Sequence, residues 1–111
     1  MKRQPPYYAV IFTTLKKEGD HGYEEMAIKM EALAAQQAGF LGFETARSTF
    51  GISVSYWESL EAIQQWKNNS EHLIAQKKGK ELWYQWYKLR ICLVEREYEF
   101  GQPLITAPYT P

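Results

Sequence analysis

The period of the apolar residues changes from two to three and four within one stretch, Gly51 to Gly79, and the rest of the chain is ordered around that change. Gly51 to Trp57 sets Ile52, Val54 and Tyr56 against Ser53, Ser55 and Trp57, the alternation of a sheet strand. Ser59 can accept a bond from an unpaired first-turn N–H, and Glu61 suits the positive end of a helix, so a helix opens there. Leu60, Ile63 and Trp66 then recur at helical spacing. Asn68, Asn69 and Ser70 compete for backbone hydrogen bonds and interrupt that helix. A second helical piece carries His72, Leu73 and Gln76 and stops near Gly79. The pattern predicts a bent helix with a tryptophan on one arm and a histidine on the other, a shape able to wall a pocket.

The flanking segments read as follows. Tyr7 to Thr14 is a strand apolar in both phases, Ala9 and Ile11 against Val10 and Phe12, which predicts cover on both sides. Lys16 to Gly22 is a charged loop; its His21 has no convergent ligands beside it and reads as a solvated side chain. Tyr23, Met26, Ala27, Met30, Leu33 and Ala34 fall on one helical stripe, its methionines serve as packing, and Gly39 is placed to end the helix in a left-handed conformation. Phe40 to Ser48 is a second strand, with Leu41 and Phe43 on one face and Gly42, Glu44 and Ala46 on the other. Thr49 to Gly51 links it to the third strand as a hairpin, and Arg47 near the end is a solvated or rim residue. Lys80 to Trp86 has the spacing of a short helical turn. The last strand, Tyr87 to Phe100, starts with Tyr87, Leu89, Ile91 and Leu93 in phase and changes phase at Val94, Tyr98 and Phe100, which predicts a bulge or an end that leaves its sheet.

Strand, helix, strand, strand, helix, strand is the order of a ferredoxin-like βαββαβ sandwich, class α+β, with an antiparallel four-stranded sheet. The domain spans residues 7–100, between an extended arm at 1–6 and an extended, proline-containing tail at 101–111. Both helices lie on one sheet face. The other face, apolar on the first strand and in the middle of the fourth, has nothing in its own chain to cover it, and the expectation is a homodimer packed sheet against sheet.

Composition narrows the function. The 111 residues suit one domain, and 45% hydrophobic content excludes a disordered chain. Thirteen basic residues balance thirteen acidic ones without a long single-sign run, which argues against a nucleic-acid partner. Cys92 has no partner for an internal disulfide and reads as a reduced, buried residue of a cytosolic protein. The longest apolar run, Tyr7 to Phe12, is too short for a membrane span, and Gln4-Pro5-Pro6 follows the basic start in place of a signal peptide's apolar stretch. A cytoplasmic protein with no membrane contact is expected.

YYAVIFTT in the first strand, AQQAGFLGFE after the first helix, the SYWESLEAIQQWK strand-to-helix junction, and SEH followed by Trp83-Tyr84 together resemble the antibiotic biosynthesis monooxygenase domain family of dimeric α+β barrels. The resemblance covers Tyr7 to Phe100 and implies the dimeric barrel. In one branch an enzyme without metal or flavin helps deprotonate an electron-rich aromatic, whose carbanion reacts with O2; a second-helix Trp, an Asn one turn earlier and a Tyr shortly after it mark that site. Trp66 matches the Trp, whereas Ala62 stands at the Asn and His72 near the Tyr. In a heme-degrading branch a second-helix His ligates iron beside a Trp, with an Asn on the first strand. His72 and Trp66 match two of these, and Tyr7 to Thr14 contains no Asn.

The candidate site follows from both readings. Trp66 is either an aromatic wall or ordinary core. His72 is a general base, a ligand, or a hydrogen-bonded helix histidine. Asn68 and Asn69 either orient a substrate carbonyl or only break the helix. Tyr56 and Ser55 line the helix side or the dimer side according to register, and Trp57 is in phase with Ser55. Arg90, a cation within the otherwise apolar first half of the last strand, pairs with an acidic ligand or a protein carboxylate. The leading reading is a cofactor-independent monooxygenase acting on a small hydrophobic aromatic, with His72 and Trp66 as catalytic residues and Tyr56, Trp57, Asn69 and Arg90 binding substrate. A heme-binding protein is the alternative. The third reading is a non-catalytic small-molecule-binding or structural homodimer whose pocket is filled by Trp57, Trp66, Trp83 and Trp86.

Overall fold

A computed structural model describes residues 4–102. Its elements are β1 (Tyr7–Lys16), α1 (Tyr23–Ala35), β2 (Phe40–Arg47), β3 (Gly51–Trp57), α2 (Leu60–Lys67), α3 (Ser70–Lys78), a turn of π-helix (Gly79–Trp83) and β4 (Tyr84–Val94). The strands form one antiparallel four-stranded sheet in the order β2-β3-β1-β4. This is the βαββαβ ferredoxin-like α+β arrangement that the element order predicts. Residues 1–3 of the expected arm and 103–111 of the expected tail lie outside the described residues.

Residues opposite one another in antiparallel strands share a face, so the register divides the sheet into cross-strand rows. One face carries the rows Leu93, Tyr8, Trp57, Phe40; then Ile91, Val10, Ser55, Phe43; then Leu89, Phe12, Ser53, Thr45; then Tyr87, Thr14, Gly51, Arg47. The helices lie on this side. Trp57 is fully buried against Ala62 and Ile63 of α2, with Tyr8, Val10, Phe40 and Trp66 packed around them. The other face presents Ile52, Val54 and Tyr56 of β3, Ala9 and Ile11 of β1, and Lys88, Arg90 and Cys92 of β4. A bulge at Leu41 lets Phe40 and Phe43, three residues apart, share the helix side, so Leu41 and Phe43 are not the in-phase pair that simple alternation suggested.

Several expectations change for physical reasons. The apolar phase of β4 does not add to the helix-free face: Leu89, Ile91 and Leu93 pair with Phe12, Val10 and Tyr8 on the helix side, where they remain 47%, 51% and 53% exposed. α1 ends at Ala35, and Gly39, with φ of 84°, instead forms the link into β2. There a Cβ would lie 2.6 Å from the Cβ of Ala62, so the glycine admits α2 as well as the turn. Gly79 caps α3 after Lys78, as expected, yet the chain does not leave helical conformation there. Gly79 continues helical as α3 passes into the π turn, and its missing side chain leaves room for the Tyr84 ring. The short helical segment is therefore Gly79–Trp83, β4 begins at Tyr84, and the strand ends at Val94 where the phase changes.

Candidate functional site

The break between α2 and α3 is made by two capping side chains. Ser59 Oγ accepts the Ala62 N–H at 3.1 Å and starts α2. Asn69 Oδ1 accepts the N–H groups of Glu71 and His72 at 3.0 and 3.3 Å and starts α3. The chain thus turns at Asn68-Asn69 and brings His72 back over Trp66. The two rings stack with centroids 4.2 Å apart and planes 12° apart. Trp66 in turn lies 6.2 Å from Trp57, at 25°. Trp57 donates its Nε1–H to Ser55 Oγ at 2.9 Å, so the deepest indole is fixed by a hydrogen bond as well as by packing.

His72 has a defined protonation pattern. Its Nδ1 is 2.9 Å from the backbone oxygen of Trp66, an atom that can only accept, so Nδ1 bears the hydrogen and Nε2 bears the lone pair. Burial holds the imidazole below its usual pKa of 6.5, opposed by the hydrogen bond to Trp66. At neutral pH the ring is therefore an uncharged base.

The structure brings together four of the six candidates: Trp57, Trp66, Asn69 and His72. Tyr56 and Arg90 are on the opposite sheet face and do not join them. Tyr56 meets Tyr7 edge to face at 5.9 Å. Burial raises the Tyr56 phenol pKa, with a further rise from its hydrogen bond to Glu44. Tyr7 donates to Glu97, and burial together with that bond pushes its pKa up to about 12. Arg90 sits opposite Ile11 in that face. The four tryptophans do not fill one space, because Trp83 packs on Tyr23 at 5.8 Å and donates to the His21 oxygen at 2.9 Å, while Trp86 is 46% exposed. Among the described residues no group of three or more His, Cys, Asp or Glu side chains is arranged to hold a metal.

A residue set at the other end of the helix side escaped the sequence reading. Arg47 is exposed, as expected of a rim residue, and it also reaches across Gly51 to donate to Thr14 Oγ1 at 2.5 Å, with its guanidinium 5.5 Å from the Tyr23 ring centroid. The signal was present as a glycine opposite an arginine at the hairpin end; it points to an arm crossing a strand only once the register is known.

The chain was compared with known proteins. The family model for antibiotic biosynthesis monooxygenase matches residues 6–78. The uncharacterized protein YqjZ of Bacillus subtilis strain 168 is 48% identical over 101 residues, which are 89% of either chain. Among solved structures, SnoaB, a cofactor-independent oxygenase from Streptomyces nogalater, superposes with a TM-score of 0.64 at 13% identity over 90% of this chain and 98% of its own. A Pseudomonas aeruginosa protein gives 0.67 at 17% identity over 86% and 99%. At such identities the structural likeness establishes the shared fold. No helix among the described residues is long and apolar enough to cross a membrane.

Proposed function

This chain belongs to the antibiotic biosynthesis monooxygenase family, and from that premise we propose that it is a cofactor-independent monooxygenase acting on a small, electron-rich hydrophobic aromatic. The observation that carries the reading is His72: an uncharged imidazole on a tryptophan plate, its Nδ1–H held by a backbone oxygen and its Nε2 lone pair left as the basic site. In this reading Nε2 takes the acidic proton of an anthrone- or quinol-like substrate. The resulting anion is the reductant and gives an electron to O2, the substrate radical and superoxide combine to a peroxide anion, the proton held on Nε2 returns to make the hydroperoxide, and loss of water leaves a carbonyl. One substrate and one O2 thus yield one oxidised product and one water.

Trp66 fixes the imidazole plane, so its part is positioning. Tyr8 and Leu93 of the Trp57 cross-strand row supply apolar surface for an aromatic ring, while Trp57, fully buried, backs the Trp66 plate and has no face left to bind substrate. Asn69 caps α3 and so places His72, and its amide nitrogen is a donor for a substrate carbonyl. The helix-free face, with Ile11, Val54 and Tyr56 at its centre, Arg90 toward one edge and Glu44 toward the other, suits a twin subunit related by a two-fold axis parallel to the strands, which would bring opposite charges together on either side of an apolar middle.

Heme binding is the second reading, favoured by the same Nδ1–H donation to a carbonyl, which is how ligating histidines are commonly held. His72 Nε2 would be the iron ligand, and iron would supply the redox chemistry. β1 offers no Asn to assist it.

The deciding experiment measures O2 uptake with anthrone and with a hydroquinone for the full chain and for His72→Ala, alongside a heme titration. Uptake that is lost in His72→Ala supports the oxygenase. A Soret band that disappears in His72→Ala, with no uptake, replaces it with heme binding. Neither signal would leave the non-catalytic homodimer.

A further inference from the structure

The Arg47 end of the helix side is rich in hydrogen-bond donors and poor in acceptors. Arg47, Gly51 and Thr14 occupy one cross-strand row, and the guanidinium passes over the glycine, where any Cβ would collide with Nη2. Nη2 donates to Thr14 Oγ1 at 2.5 Å, a hydroxyl on a residue only 2% exposed, and lies 3.4 Å from the Tyr23 hydroxyl oxygen. Lys16 Nζ stands 4.2 Å from the centroid of the same Tyr23 ring. Two cations therefore flank one phenol, and among the described residues neither has a carboxylate within ion-pair distance.

The hydrogen count is equally lopsided. The Tyr23 ring meets the Tyr84 ring edge to face at 5.9 Å. The Tyr23 hydroxyl oxygen accepts from Arg47 at 3.4 Å, so its own hydrogen remains to be donated. The further N–H groups of Arg47 and the ammonium hydrogens of Lys16 add to the surplus. A neutral acceptor would satisfy hydrogens and leave the two positive charges beside the Tyr23 ring unbalanced. An oxyanion answers both needs, because its oxygens accept several bonds while its charge offsets the pair.

We propose that Arg47, Lys16 and Tyr23 form a binding site for a small oxyanion, a carboxylate or a phosphate. Six residues of β3 separate the Gly51 row from the Trp57 row, about 20 Å at the strand rise, so the site is distinct from the His72 stack. Its existence does not depend on the activity proposed there.

The experiment is calorimetric titration of the full chain at fixed ionic strength with sodium phosphate and, separately, sodium benzoate, chloride being the reference anion. Saturable binding of either is expected, and which one binds tells phosphate from carboxylate. Arg47→Gln should weaken it by about tenfold or more, since a charge-assisted bond is lost. Should Arg47→Gln fail to fold because Thr14 loses its partner, Lys16→Gln decides the matter. It removes a cation with no hydrogen bond to Thr14 and should weaken binding several-fold with an unchanged circular dichroism spectrum. Lys29→Gln, on the exposed part of α1 beside Glu71, should leave affinity as it was. The proposal is overturned if neither anion binds with a dissociation constant below about 10 mM, if Lys16→Gln binds like the parent, or if Lys29→Gln weakens binding as much as Lys16→Gln does.

Discussion

The His72 imidazole lies flat on the Trp66 indole, 4.2 Å centroid to centroid, and its Nδ1 also reaches the backbone oxygen of that same tryptophan at 2.9 Å. Rotating the imidazole would break the stack and the hydrogen bond together. One residue therefore sets the plane, the tautomer and the direction of the basic nitrogen of another, and the turn at Asn69 is what brings the pair within reach.

The first consequence is a pH dependence. Burial lowers the His72 pKa below its usual 6.5, so the folded protein binds fewer protons than the unfolded chain in the window just below that value. Stability therefore rises with pH through the window and levels off above 6.5. Urea unfolding at a series of pH values should show that slope in the parent and a smaller one in His72→Gln, the difference isolating the imidazole from the carboxylates that titrate lower. Identical slopes would mean that the ring is not held uncharged. If the oxygenase reading holds, its rate should fall over the same interval as Nε2 becomes protonated.

Replacing the plate should uncouple stability from the histidine's chemistry. Trp66→Leu keeps an apolar side chain in the half-buried site and should cost about 2 kcal/mol in denaturant unfolding, toward the lower end for truncating a large core residue. The His72 resonances should titrate closer to 6.5 in the variant, because water reaches the ring face that the indole covered. A His72 titration unchanged by this substitution would contradict the positioning role given to Trp66.

Asn69 tests whether a cap is only a cap. Asn69→Ala removes acceptors for two first-turn N–H groups and should destabilise by about 1 kcal/mol. Asn69→Ser keeps a capping oxygen and should recover most of that loss. Were turnover measured, a serine variant with normal stability but depressed kcat/KM would assign the amide to substrate. Full activity in that variant would restrict Asn69 to holding α3.

The strand order and the bent helix could be read from the chain because each rests on local periodicity and capping chemistry, which short-range sequence records directly. Faces were harder. Two-residue alternation shows that Ser55 and Tyr56 diverge, yet which of them meets the helices is decided by pairing with β1, a long-range choice. The bulge at Leu41 shifts that phase again; Gly42 beside it is the kind of residue that marks a bulge, but only the pairing with β3 shows that one is formed. For the same reason the sequence groups Arg90 with His72, which the sheet separates, and marks Arg47 as the exposed rim residue that it is without showing its reach over Gly51 to Thr14. Composition likewise put the four tryptophans together, whereas the fold divides them between the His72 stack, the Tyr23 cluster and the surface.

Two glycines of equal backbone conformation should respond differently to the same substitution. Gly22 and Gly39 both have φ of 84°, so an alanine at either meets the left-handed penalty, about 1 kcal/mol. At Gly22, before α1, an added Cβ meets nothing within 4 Å, and that penalty should be nearly the whole effect. At Gly39 the Cβ would lie 2.6 Å from Ala62, a buried residue of α2 in the cluster around Trp57. Relief requires α2 to shift, which should add overpacking of about 1–3 kcal/mol to the cost. Because α2 carries Trp66, that shift should also disturb the indole stack, while Gly22→Ala should leave it alone. Denaturant midpoints combined with tryptophan near-ultraviolet dichroism make the comparison. Equal losses for the two variants, or a Gly39→Ala spectrum matching the parent, would show that the loop before β2 absorbs the methyl without transmitting it to α2.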